Sequence, residues 1–277
     1  MTTVGTMPAW LVSLHARASQ PPARRRVPLL ARQVVIGSVE PAFLDPLAGV
    51  RLVDGTPAVT RVAGGSDSPW QVQGELTATL NLLAHEMRQK DMCSAWRNEQ
   101  LSVRDPHGQV LGTVERAAVR PLGISTHAVH LVGFSADGRM WVQQRALDKP
   151  NDPGMWDTLM GGMVPASDSL AQALERETWE EAGLRIAAMQ DVQRCGRITL
   201  RRPSDADGAG PGYTVEDIDW FRCIVPDGME PENQDGEVAQ FRLVQPAGVL
   251  ADVERGEYTL EAALIIAAAL GVDKVSG

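Results

Sequence analysis

Residues 161–184 read GGMVPASDSLAQALERETWEEAGL. Ser169 followed three residues later by Gln172 is a capping box, so a helix is predicted to start there. Gly183 supplies the usual stop just past the last turn. Between them Leu170, Ala171, Leu174, Thr178 and Ala182 fall on one arc at 100° per residue. Glu177, Glu180 and Glu181 fall within about 100° of one another and overlap the edge of that apolar arc. A solvated helix turns its acids away from the core; these lean toward it. Glu177 and Glu181 are like charges at i,i+4, which costs a few tenths of a kcal/mol in an isolated helix. They also lie in the C-terminal half, where the macrodipole disfavours negative charge. Only Arg176, four residues before Glu180, offers local relief. A hard cation such as Mg²⁺ (or Mn²⁺), which takes oxygen ligands, accounts for the arrangement economically. The bland alternative is an acidic helix with solvated glutamates.

The flanking sequence predicts a mixed sheet covered by helices. Residues 126–134 and 139–145 form a hairpin around Asp137-Gly138, and a short apolar strand at 156–160 ends at Gly161-Gly162. Runs at 191–201 and 213–225 read as strands separated by a Gly/Asp-rich loop, and a last helix spans about 257–270. Arg120-Pro121-Leu122-Gly123 marks a seam. Before it, Trp10, Leu11 and Leu14 suggest a helix at 8–19, 32–39 reads as a short buried strand, and Asp54-Gly55 as a hairpin turn. Leu76, Leu80, Leu83 and Met87 recur at steps of 4, 3 and 4, one helical stripe. Strands at 101–104 and 109–115 flank a second turn. The expected organisation is a small α+β domain over 1–118 and an α/β domain over 119–277.

Composition narrows the function. The 277 residues carry 26 Lys+Arg against 35 Asp+Glu, a net charge of −9, which disfavours a sequence-independent nucleic-acid binder. Cys93, Cys195 and Cys223 form no C-x-x-C pair, so a disulfide framework or structural zinc is not expected and a reducing cytoplasm is. The longest apolar stretch, 262–272, is too short for a bilayer, and no leader pattern opens the sequence. A soluble cytoplasmic protein without membrane contact is expected. No phosphate loop, dinucleotide fingerprint or serine elbow occurs. His127 and His130, three apart on a strand, face opposite sides and cannot share a metal. His85-Glu86 lacks the second histidine of a zincin.

The spacing Gly162, five residues, Asp168, seven residues, then Arg176-Glu177-Thr178-x-Glu180-Glu181-x-Gly183-Leu184 resembles the Nudix box, G-x5-E-x7-R-E-U-x-E-E-x-G-U. Seven of nine specified positions agree. Asp168 stands for the first glutamate and Thr178 for an aliphatic residue. The resemblance implies an α/β/α sandwich over about 125–270 and metal-dependent cleavage of diphosphates linked to another moiety. A wider match, an N-terminal α+β unit ahead of Arg145-x-x-x-Lys149, Pro153-Gly154, Trp156-Asp157 and Gly161-Gly162, is similar to a subgroup related to the Nudix module fused to thiamine pyrophosphokinase.

By the same resemblance, Glu177, Glu180 and Glu181 are metal ligands, with the Gly161 carbonyl a further one, and Arg176 positions the glutamates. Glu237, in Asp235-Gly236-Glu237-Val238, is the candidate general base, with a surface turn as its alternative. Arg145 and Lys149 suit diphosphate oxygens, or are solvated loop cations. Asp157 orients the glycine loop or binds the non-phosphate moiety, and Trp179 is expected to pack on another segment. The implied partner is a small-molecule diphosphate, thiamine-diphosphate-like, with room for a homodimer. The alternatives are a nucleotide-sugar or dinucleotide pyrophosphatase, and a Nudix-derived binding or regulatory protein with little turnover.

Overall fold

A computed structural model describes residues 7–62, 65–93, 95–204 and 212–273. The expected Gly/Asp-rich loop falls mostly at 205–211, outside the described residues. The chain opens with α1 (Ala9–Ala18), followed by β1 (Val27–Ala31), β2 (Val34–Val39), β3 (Val59–Arg61) and β4 (Trp70–Val72). Helix α2 (Leu76–Gln89), the hairpin β5 (Gln100–Arg104) and β6 (Val110–Glu115), and the single turn α3 (Arg116–Val119) follow. The four early strands order as β2-β1-β4-β3. The predicted stripe of α2 is buried, and its first turn is capped by the Glu75 carboxylate, which accepts from the Thr77 and Ala78 N–H groups. Leu80 and Met87 pack with Leu29, Val72, Leu101 and Val114 in one core.

The second unit contains β7 (Thr126–Ser135), β8 (Met140–Arg145), β9 (Trp156–Asp157), β10 (Met160–Met163), α4 (Leu170–Ala182), β11 (Gln190–Ser204), β12 (Gly212–Val225), β13 (Val238–Val244), α5 (Pro246–Glu254) and α6 (Leu260–Ala269). Its main sheet runs β11-β12-β7-β8-β13. The β12–β7 pair is parallel and the other pairs on that path are antiparallel, so the sheet is mixed. Leu174, Ala182 and Leu184 cover one face against Val129 and Leu131. Residues of α5 and α6 cover the other against Val132, Val142 and Ile218. This is the α/β/α layering expected. Among the described residues no helix is long and apolar enough to cross a membrane.

Three departures from the sequence reading have physical causes. The single strand expected at 156–160 is two: β9 pairs with β8 and β10 with β7. β7 and β8 pair only at Gly133–Phe134 before they part, and each takes its own short partner. The last helix begins at Leu260, and α5 stands before it with Pro at its first turn. Only Val249 and Val253 of α5 are buried, too thin a stripe to read. The largest departure is α1, placed by the sequence within the first unit. Leu11, Leu14 and Ala18 instead join the core of Ile218 and Ile265, and Ser19 bridges to Arg201 of β11. Conversely Val119, Leu122 and Ile124 pack into the first core. Periodicity tells a helix which face to bury but not against what.

Candidate active site

The parting of β7 from β8 opens a pocket of about 590 Å³. One wall is the acidic face of α4. The helix starts and stops as its sequence dictates: Ser169 and Gln172 form the reciprocal capping box, and Gly183 takes the left-handed conformation, φ 64°, that glycine tolerates. Glu177, Glu180 and Glu181 all line the pocket, together with Gly161 and Gly162 of β10. That close approach needs both glycines. A Cβ on Gly162 would lie 2.1 Å from the Glu177 carboxyl carbon, and one on Gly161 would lie 2.5 Å from the His130 ring.

Glu181 is 3% exposed. Its carboxylate accepts from the Gly161 N–H at 3.0 Å and the Gln143 amide at 2.8 Å. Burial still pushes it up to about 8, the Gly161 bond opposing and the Glu177 charge adding to the rise. Glu177 is pushed up to about 7, again by burial, against the pull of Arg176. Arg176 is the bolt of the arrangement. It reaches Asp168 at 3.0 Å, Glu177 at 2.9 Å and Glu180 at 2.8 Å. Asp168, one methylene shorter than the box glutamate, therefore makes direct contact with the arginine.

The opposite wall brings the remaining expected residues into the same pocket, already engaged with one another. Lys149 is ion-paired to Glu237. Burial raises the Glu237 carboxyl, but Lys149, together with Arg116 and Arg145, holds the group below its ordinary range. Arg145 donates to the Asn151 carbonyl at 3.2 and 3.0 Å and stands 3.7 Å from Asp157. Asp157 is buried; it accepts from the Thr158 N–H at 2.8 Å and the Thr259 hydroxyl at 3.3 Å. Trp179 departs from expectation: it is 38% exposed and stacks under the Arg185 guanidinium at 3.8 Å.

Several pocket residues escaped the sequence reading. His130 and His127 do face opposite sides, His127 lying 3.7 Å from Asp217. His130, set aside as one of a non-chelating pair, lines the pocket and bonds through Nδ1 to the Thr158 hydroxyl at 2.9 Å. Burial lowers its pKa, which keeps the ring neutral. The unusual glycine pair facing that strand was the available signal. Glu216 and Glu261 line a recess beside Asp157. Arg97, Arg116 and Arg120 enter from the first unit, and no local pattern announces them.

Among the described residues no three acid, histidine or cysteine side chains converge into a ready-made cation site. The donor set nonetheless suits a hard divalent ion. Glu177 and Glu181 are carboxylates withdrawn from water, Arg176 reaches Glu177 and Glu180 but not Glu181, and the buried Gln143 Oε1 beside Glu181 has no hydrogen-bond partner. Around the pocket ten acids face seven arginines and lysines, an imbalance that a divalent cation offsets.

Known proteins share this framework. The family profile described as NUDIX domain matches residues 125–264. Nudix hydrolase 20, chloroplastic, of Arabidopsis thaliana is 27% identical over 248 residues, 84% of this chain and 63% of its own length. An uncharacterized Nudix hydrolase of Pseudomonas aeruginosa is 33% identical over 176 residues, 64% of this chain and 92% of its own. An isopentenyl-diphosphate Delta-isomerase of Streptomyces coelicolor is 30% identical over 148 residues, 53% of this chain and 71% of its own. The chain thus spans under two thirds of the plant relative. A crystal structure of a Deinococcus radiodurans protein superposes with TM-score 0.50 at 17% identity, over 61% of this chain and 98% of that one, a likeness of fold. With the profile spanning half of the sequence and the bacterial relative matched over nearly its whole length, the chain belongs to the Nudix family.

Proposed function

We propose that the protein is a divalent-metal-dependent hydrolase that cleaves a diphosphate linked to a small organic moiety. One observation carries the reading: the buried Glu177–Glu181 pair, with Arg176 on Glu177 alone, faces a pocket that also holds Lys149, Glu237 and Arg145. Glu177, Glu180, Glu181 and the Gly161 carbonyl would hold Mg²⁺ or Mn²⁺, which supplies charge neutralisation and a lowered pKa for an attacking water. Arg176 fixes Glu177 and Glu180, with Asp168 bracing it from the other side. Glu237 is the proton acceptor. Lys149 is shared between it and the phosphate oxygens, so an arriving diphosphate loosens the pair and makes Glu237 more basic. Arg145 steadies the 151 loop and the Asp157 end of the pocket. The P–O–P bond breaks, giving a monophosphate ester and inorganic phosphate.

The organic moiety is thiamine-like in this proposal. Support comes from the resemblance of the N-terminal arrangement and from the recess of Asp157, Glu216 and Glu261 beside Leu200, which suits a ring bearing hydrogen-bond donors. A cytoplasmic site of action belongs to the same reading, since the three cysteines are unpaired. The test compares kcat/KM for thiamine diphosphate and its oxidised analogues, ADP-ribose, NADH, nucleoside diphosphates and isopentenyl diphosphate, with products identified by mass. A nucleotide preferred tenfold or more ends the thiamine element. Rearrangement of isopentenyl diphosphate without change of mass, or no turnover of any compound, ends the hydrolase reading.

A further inference from the structure

The two cations expected to meet a diphosphate are already engaged within the chain, Lys149 ion-paired to Glu237 and Arg145 bonded to the Asn151 carbonyl near Asp157. Three other arginines on the same pocket have no such partner. Among the described residues no acid lies within ion-pair distance of the Arg97, Arg120 or Arg202 guanidinium, and none of the three donates a side-chain hydrogen bond. An unpaired guanidinium keeps its charge for an incoming anion, and its planar fork matches two phosphate oxygens at once.

The backbone brings these arginines together. Glu115, buried at the start of α3, accepts from the Arg97 N–H at 2.8 Å and the Ala117 N–H at 3.4 Å. This joins the segment carrying Arg97 to the turn carrying Arg116 and Arg120. The Arg120 carbonyl accepts from the Tyr213 N–H at 3.0 Å, and Arg202 pairs with Thr214 on the adjoining β11–β12 ladder. Arg116, bonded to Glu99 at 2.6 Å, continues the row toward Glu237. The remainder of the lining is dominated by acids, which would repel a diphosphate that met no cationic edge.

We propose that Arg97, Arg120 and Arg202 grip the phosphate oxygens of the diphosphate, so that the first unit completes the substrate site that α4 begins. This deepens the hydrolase reading and rests on it. Substrate anchoring then depends on both units, and the arginines act on binding more than on the chemical step.

The test uses the full chain with Mg²⁺ and methylenediphosphonate, whose P–C–P bridge resists hydrolysis, and reads Kd by calorimetry. The double variant R120Q/R202Q is expected to weaken binding at least tenfold and R97Q about threefold. R120K/R202K, which keeps the charge but loses the fork, falls between wild type and R120Q/R202Q. R24Q removes an exposed charge outside the pocket and leaves Kd unchanged. In turnover, KM rises by the same factors while kcat stays within twofold. Wild-type affinity in both R97Q and R120Q/R202Q overturns the proposal. So does an equal loss in R24Q, or a wild-type protein that does not bind the phosphonate. If thermal melting shows R120Q/R202Q unfolded, R97Q and R120K/R202K decide by the same criterion. A wild type that binds the phosphonate yet hydrolyses no diphosphate ends the hydrolase reading and leaves the arginine wall standing.

Discussion

Helices α2 and α4 are nearly the same length, 14 and 13 residues, and both are capped by a side chain at the N-terminus. Their buried faces differ in kind. α2 buries Leu76, Thr79, Leu80, Leu83, Ala84 and Met87 and leaves its one acid, Glu86, off that face. α4 buries Ala173, Leu174, Thr178 and Ala182, and Glu181 with them. Burying a carboxylate costs free energy that a leucine there would not cost. The first helix therefore stabilises the fold with its whole inner face. The second gives up part of that stabilisation to place an ionisable group where water is scarce, and that is what a functional site looks like.

The sharpest way to break this contrast is Glu181→Gln. We expect kcat to fall about a thousandfold, roughly 4 kcal/mol of barrier, while the melting temperature of the metal-free protein holds or rises. Unchanged turnover at saturating Mg²⁺ would mean that α4 is merely an acidic helix. The converse substitution, Leu80→Ala in α2, removes a side chain with no exposed surface. It should cost about 3 kcal/mol of stability and leave kcat per folded molecule as it was, measured by urea unfolding beside steady-state assays. A large loss of kcat there would show that the first core and the pocket are mechanically coupled.

The smallest effect concerns a third helix. Glu261 of α6 faces the pocket recess, and burial, with the Glu216 and Asp157 charges adding, pushes it up from 4.5 to about 7. The folded chain thus holds this proton up to about 7, whereas the unfolded chain releases it near 4.5. The stabilising contribution is complete below about 4.5 and is lost as the pH rises through 7. Glu261→Gln should therefore melt close to wild type near pH 5 and several degrees above it at pH 8. A gain that is the same at both pH values would remove titration from the explanation.

The sequence disclosed α4 almost completely because its signals are local. Ser169, Gln172 and Gly183 mark its ends, and the spacing of Arg176, Glu177, Glu180 and Glu181 marks its chemistry. The stripe of α2 was legible for the same reason. What stayed hidden depends on partners distant in sequence. The partner of α1 is α6, and nothing in Trp10, Leu11 and Leu14 names it. His130 reads as a strand histidine until Gly161 is seen packed against its ring. Arg97, Arg120 and Arg202 come from three segments whose meeting is tertiary. α5, with two buried valines, has too little stripe to be noticed.

The docking of α1 also bears on how the chain is made. Its apolar face rests against α6, which is translated about 240 residues later. At ribosomal rates of roughly 5–20 residues per second, that interval is on the order of 12–50 s. Throughout it the first unit can close its own core, but the face that Leu11 and Leu14 turn to α6 stays uncovered. The nascent chain therefore carries this apolar face without its α6 partner until α6 has been made.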